Sequence, residues 1–224
     1  MDFTNIIIRI CVIAIPVVLA ITLHEAAHGY VARMFGDNTA YMLGRVTLNP
    51  AKHIDPFGTI LFPLLTTLIS QGGVFFGWAK PVPVNFNNLR NPKADMFWVA
   101  AAGPASNFVQ ALLWGIVARA IATLGSADSL VSQFWFAVAI AGIQWNVVIA
   151  IFNLFPILPL DGGRIVVSLL PKRLSYSYSR LEPYGMPILL GLIILMSVYA
   201  PLGNAFGHLL GAGDRFFTSL FGLE

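Results

Sequence analysis

Residues 5–35 read NIIIRICVIAIPVVLAITLHEAAHGYVARMF, and two features of this stretch decide how the rest of the chain is read. From Ile6 to Leu23 it is almost wholly apolar, close to the roughly 20 residues a helix needs to cross a bilayer. It then runs unbroken into His24, Glu25 and His28, polar groups that are costly at membrane depth unless they find partners. Gly36-Asp37-Asn38 closes the helix with residues that stop helices and form turns. Pro16 would kink it, which membrane helices tolerate when neighbours satisfy the freed carbonyl. No Ala-x-Ala-like cleavage site precedes the polar set, so the stretch reads as a retained span and not as a signal peptide.

The composition agrees. Of 224 residues, 57% are hydrophobic and 10% charged, against about 25% charged in a typical soluble domain. With a mean hydropathy of +0.77, lipid is the expected solvent for much of the surface. Two further full spans run from Met96 to Leu124 and from Val131 to about Phe155, and a shorter one from Tyr184 to about Ala200. The stretch 57–70 is apolar but too short to cross comfortably, and reads as re-entrant. Residues 74–84 combine aromatic and β-branched residues with two prolines, the pattern of an edge strand or short β-hairpin. The tail from Pro201 to Glu224 reads as a surface-lying amphipathic segment. The expectation is an all-α polytopic membrane protein: about four transmembrane helices, a re-entrant segment and a short β-hairpin or sheet. It forms a single domain over 1–224, with no linker or repeat to divide it.

Charge placement supports this layout. The segments 33–95 and 164–183 hold ten of the thirteen basic residues and share one side if 57–70 is re-entrant. Such asymmetry marks the cytoplasmic side. The basic residues occur singly and leave no clustered footprint for nucleic acid. Cys11, the sole cysteine, excludes an intramolecular disulfide and reads as a small buried hydrophobe.

His24-Glu25-Ala26-Ala27-His28 places two imidazoles at i and i+4, on one helical face. Both can reach one zinc ion, with Glu25 beside them as general base. A catalytic zinc usually has a third protein ligand. Asp55, Asp95, Asp128, Asp161, His53 and His208 are candidates; Cys11 lies too far back along the same helix. Asp161 stands out, since prolines before it and Gly162-Gly163 after it let the backbone approach a site closely. The alternative is a helix-capping aspartate ahead of Arg164.

With these residues in place, the chain resembles the site-2 protease family of intramembrane metalloproteases. The likeness rests on His24-Glu25-x-x-His28, on Gly103-Pro104-Ala105-Ser106-Asn107, and on Asn153-x-x-Pro156-x-x-x-Leu160-Asp161-Gly162. The resemblance implies Asp161 as third zinc ligand, Glu25 as base, and cleavage of transmembrane protein or peptide substrates within the bilayer. It is closest to a compact subtype without PDZ or CBS domains. Gly77–Asn85 and His53–Thr59 look like that subtype's own elements. Asn153 and Asn107 could each donate to an oxyanion or hydrogen-bond between helices. His53 reads as a loop histidine near the site's mouth, and His208 is given no role. The expected place is the cell (inner) membrane, with the active site toward the cytoplasm. A non-enzymatic zinc transporter or sensor is the alternative. Glu25 argues against it, because a transporter needs no unligated glutamate between two ligand histidines.

Overall fold

The computed structural model describes residues 3–62, 65, 77, 79–126 and 128–223. Helix α1 spans Phe3–Met34 and stops at Gly36, whose φ of 110° suits glycine. A short α2, Thr39–Met42, follows. The chain then makes 3-10 turns at Pro50–Lys52 and Phe86–Asn88 and a π-type turn at Pro56–Leu61. Among the described residues, helices α3 (Pro92–Leu124), α4 (Leu130–Asn153), α5 (Asp161–Leu169), α6 (Lys172–Ser179), α7 (Gly185–Val198) and α8 (Ala200–Leu220) follow.

Among the described residues, four stretches are long and apolar enough to cross a membrane: Ile7–Met34, Pro92–Leu124, Leu130–Asn153 and Lys172–Val198. The chain is a multi-pass membrane protein. The fourth stretch starts at Lys172, before the expected Tyr184, because a 3-10 turn at Glu182–Tyr184 joins α6 to α7. Pro183 sits in the first turn of that element, where its missing N–H costs nothing.

Helix α3 packs on α4, α1 and α5. Its interfaces are built from small residues, including the wholly buried Ala20, Ala111, Ala118, Ala139 and Ala150. Without a hydrophobic force between helices in lipid, such residues let backbones approach and gain dispersion contacts. Ile10, Leu113, Ile116 and Ile194 face outward, as lipid-facing residues should. Cys11 is also exposed, contrary to the expected burial; a lipid-facing position suits a thiol on a spanning helix.

One other expectation needs correcting, and the β-hairpin is not confirmed. The tail is docked into the bundle: Phe217 of α8 is buried against Ala111, Ile143 and Val147, and a Cβ at Gly213 would lie 2.7 Å from Val147. One large ring and one missing side chain bring α8 onto α4. The β-hairpin expected over 74–84 is not seen, since no strand occurs among the described residues. Residues 74–76 and 78 lie outside them. Residues 79–84 are extended without a ladder, because Pro81 and Pro83 lack the N–H a ladder requires.

These residues form a strap instead. Lys80 N–H donates to His53 O at 3.0 Å. The Arg45 guanidinium donates to the carbonyls of Lys80 and Pro81 at 2.9 and 3.2 Å, and Asn85 N–H donates to Asp37 Oδ2 at 2.7 Å. The chain at Lys80 has therefore returned to its position at His53. The expected re-entrant stretch 57–70 lies between these points; beyond Leu61 it falls outside the described residues apart from Phe62 and Leu65. The two basic segments also meet at one end of the bundle. Lys93 donates to Leu170 O, and Arg164 lies 5.1 Å above the Phe86 ring.

Candidate metal centre

His24 and His28 project one turn apart from α1, as their spacing requires. Asp161 reaches them from the first turn of α5, and its placement follows from two glycines. A Cβ at Gly162 would lie 2.2 Å from Leu154 O, and one at Gly163 would lie 2.5 Å from Leu158 N. Only glycine lets the loop 154–160 fold back over the start of α5 this closely. The ligand atoms of His24, His28 and Asp161 all lie within 4.8 Å of one another. No other cluster of metal-ligating side chains gathers in this way among the described residues.

Hydrogen bonds fix which atoms face the centre. Asn146 Nδ2 is 2.8 Å from Gly142 O, a backbone carbonyl that can only accept, so the Asn146 nitrogen donates. Its Oδ1 therefore faces Asn107 Nδ2 at 2.9 Å, and Asn107 Oδ1 faces His24 Nδ1 at 2.6 Å. His24 Nδ1 must then carry the proton. His28 Nδ1 lies 2.7 Å from Val99 O, which again only accepts. In a neutral imidazole the other nitrogen is bare, so both Nε2 lone pairs point at one spot. They lie 3.1 Å apart.

The Asp161 carboxylate adds its charge there, with Oδ2 at 3.2 Å from His24 Nε2 and Oδ1 at 3.3 Å from His28 Nε2. Oδ2 is buried and accepts no hydrogen bond. Three acceptors converging without a proton between them repel one another unless a cation lies among them.

A second observation fits an ion. Gly103 of α3 faces the imidazoles, and a Cβ there would lie 2.4 Å from His28 Nε2 and 2.6 Å from His24 Nε2. The space in front of the nitrogens exists because that side chain is missing. Two imidazoles and a carboxylate make a set suited to a catalytic zinc with an open position.

Glu25 lies beside the pair. Its Oε2 accepts Val82 N–H at 2.7 Å. Together with the histidines and Asp161 it lines a cavity of about 850 Å³, which Asn153 and Trp145 also border. Asn153 Nδ2 donates to Ile149 O in its own helix at 3.0 Å.

The other metal-ligand candidates are placed elsewhere. Asp55 caps the Pro56–Leu61 turn through Phe57 and Gly58 N–H, and Asp95 accepts from Asn91 N–H. His53 is buried and pairs with Thr47 O at 2.9 Å. Neither Asp128 nor His208 joins the trio. Sequence reasoning left Asn107 undecided and overlooked Asn146. The signal was an uncharged amide in the middle of an apolar span, which needs a partner in lipid.

Comparison with known proteins follows this geometry. The family model for peptidase family M50 matches residues 12–125 and 115–196. The Bacillus subtilis protein named "Putative zinc metalloprotease YwhC" is 38% identical over 215 residues, covering 93% of this chain and 90% of that protein. The Mycolicibacterium smegmatis protein named "Putative zinc metalloprotease Rip2" is 30% identical over 177 residues, covering 79% of this chain and 64% of its own length. No solved structure matches.

Proposed function

The chain belongs to peptidase family M50, the site-2 protease family of zinc metalloproteases, and on that premise we propose that it is an intramembrane endopeptidase cleaving transmembrane segments of membrane proteins. The observation that carries the reading is the trio of bare acceptors, with Glu25 beside it, in a cavity bordered by spanning helices. We assign His24, His28 and Asp161 as the zinc ligands.

Bound zinc supplies Lewis acidity, making water nucleophilic at neutral pH. Glu25 accepts the proton of the attacking water and passes it to the leaving amine. Among the described residues one Glu25 oxygen, Oε1, makes no hydrogen bond, so it is free for this role. Asn153 borders the same cavity and retains one N–H for the developing oxyanion. Asn107 and Val99 O hold the imidazoles in the tautomer that ligates.

Residues 1–224 act as one intramembrane domain. The bond from Lys80 N–H to His53 O supports placing His53 and Lys80 on the same side of the membrane. The meeting of the two basic segments at one end supports a cytoplasmic active-site mouth in the cell membrane. A helical substrate must unwind before its carbonyl can be attacked, because helical hydrogen bonds shield it.

Purified protein in detergent, given a model transmembrane peptide, tests the reading. Glu25→Gln is expected to retain zinc and lose about 10²–10⁴-fold in turnover. Near-normal cleavage by that variant removes the proteolytic reading.

A further inference from the structure

The run Pro81-Val82-Pro83 contains one backbone N–H, because proline has none. That single donor, on Val82, goes to Glu25 Oε2 at 2.7 Å, in the range of charge-assisted bonds. The contact joins residues 57 positions apart, so local chain geometry does not produce it.

We propose that Val82 is a positioning residue for Glu25. Its N–H holds one carboxylate oxygen, fixes the side chain's rotamer, and leaves the other oxygen for the proton of the attacking water. The inference rests on the assignment of Glu25 as proton acceptor.

The surroundings are built for rigid presentation of this one donor. Both prolines fix their φ, and residue 82 is restricted by the proline after it. On one side the strap is held by Lys80 N–H on His53 O and by Arg45 on two carbonyls. On the other, Asn85 N–H is held by Asp37, whose carboxylate also takes Thr39 N–H and hydroxyl and the Asn88 amide. The Val82 side chain is buried against Gly29, one turn beyond Glu25 on the same face of α1. A Cβ at Gly29 would lie 3.1 Å from Val82 and 2.9 Å from Val46. Glycine thus lets the strap sit close enough for the bond. A glutamate side chain has several rotatable bonds, and a general base held in reach of its proton loses less entropy on reaching the transition state.

Amide hydrogen exchange on the full chain in detergent tests the bond directly. Overlapping fragments across 80–83 isolate the Val82 N–H, the one exchangeable backbone amide between the prolines. In wild type it is expected to exchange slowly. In Glu25→Ala it is expected to exchange at least about tenfold faster, the loss of a charged hydrogen bond. Equal rates overturn the proposal.

Its catalytic consequence is read by replacing Val82 with 2-hydroxy-3-methylbutanoic acid, which turns the amide into an ester, removing the N–H and weakening the Pro81 carbonyl as an acceptor from Arg45; Arg45→Gln is the control for that second change. Zinc content, melting temperature and KM should stay near wild type, while kcat should fall at least about tenfold further than in Val82→Ala, which keeps the donor. An ester variant with the kcat of Val82→Ala overturns the positioning role even if the bond exists. Retained cleavage by Glu25→Gln would instead overturn the proteolytic reading and leave the exchange result standing.

Discussion

Gly103→Ala is expected to perturb the proposed metal centre without replacing any of its ligands. The new Cβ would lie 2.4 Å from His28 Nε2 and 2.6 Å from His24 Nε2, where ordinary contact begins at 3.4 Å. The rings must retreat by about 1.0 and 0.8 Å, or α3 must move away by as much. Neither ring can swing freely, since each Nδ1 is anchored, to Asn107 at 2.6 Å and to Val99 O at 2.7 Å. Metal–ligand distances tolerate only about 0.2 Å. The methyl therefore shifts the ligand atoms by several times that tolerance and fills the space before them. Losing an orienting partner costs about 10–100-fold in metal affinity, so direct displacement should reach at least the upper end. Overpacking adds about 1–3 kcal/mol of destabilisation. Zinc per chain is measured on purified protein against a competing chelator, and melting temperature with and without it. Wild type should melt lower once stripped of zinc, as expected for an ion that binds the folded state; Gly103→Ala should show almost no such shift. Wild-type affinity together with a wild-type chelator shift would refute the reasoning, because it would place the ion away from the face that Gly103 opens.

Asn107→Ala should weaken zinc binding by about 10–100-fold, since it releases the His24 tautomer. It should also cost about 1–3 kcal/mol by stranding Asn146 Oδ1, which Asn107→Asp should strand likewise; unchanged metal affinity in both variants would remove Asn107 from the support of the site. Asp161→Ala should abolish stoichiometric zinc binding, and full occupancy in metal analysis would remove it as a ligand. Asp37 tests the strap's anchor: burial opposes its ionisation, but hydrogen bonds from Thr39, Asn85 and Asn88 hold its carboxyl below the ordinary value of 3.8. A lowered folded value means that stability is fully present above 3.8 and lost as pH falls through the folded value. The melting-temperature gap between wild type and Asp37→Asn should thus be constant near neutrality and close in acid, whereas a gap that widens in acid would contradict the bonding seen. For topology, single cysteines at Asn88 and Ser177 in a Cys11→Ser background should label from the same side, and opposite labelling would place a crossing between them.

The sequence by itself determined the solvent, three of the four spans closely, and the shared helical face of His24 and His28. Each of these is a local property. Composition sets the partition into lipid, and a spacing of four puts His24 and His28 on one face of any helix they occupy. The prolines and glycines around Asp161 marked a place where backbone approaches backbone, and the structure shows Gly162 and Gly163 against the loop 154–160. What faces that approach was not local. Asn107 and Asn146 are amides in apolar helices, and nothing in their neighbours says whether they tie two helices together or orient an imidazole. They do both, and only the stacking of α1, α3 and α4 sets the order of donors that leaves Nε2 bare. The aromatic pattern of 74–84 suggested a strand; in the described part, 79–84, the two prolines leave no ladder, and the Val82 N–H goes to Glu25 of α1 instead. The tail's docking turned on Phe217 meeting a gap at Gly213, a fit between residues of separate helices. The contact between Val82 and Glu25 was the least legible of all, because backbone N–H groups are chemically alike in every residue except proline, and tertiary structure alone decides which acceptor each one meets.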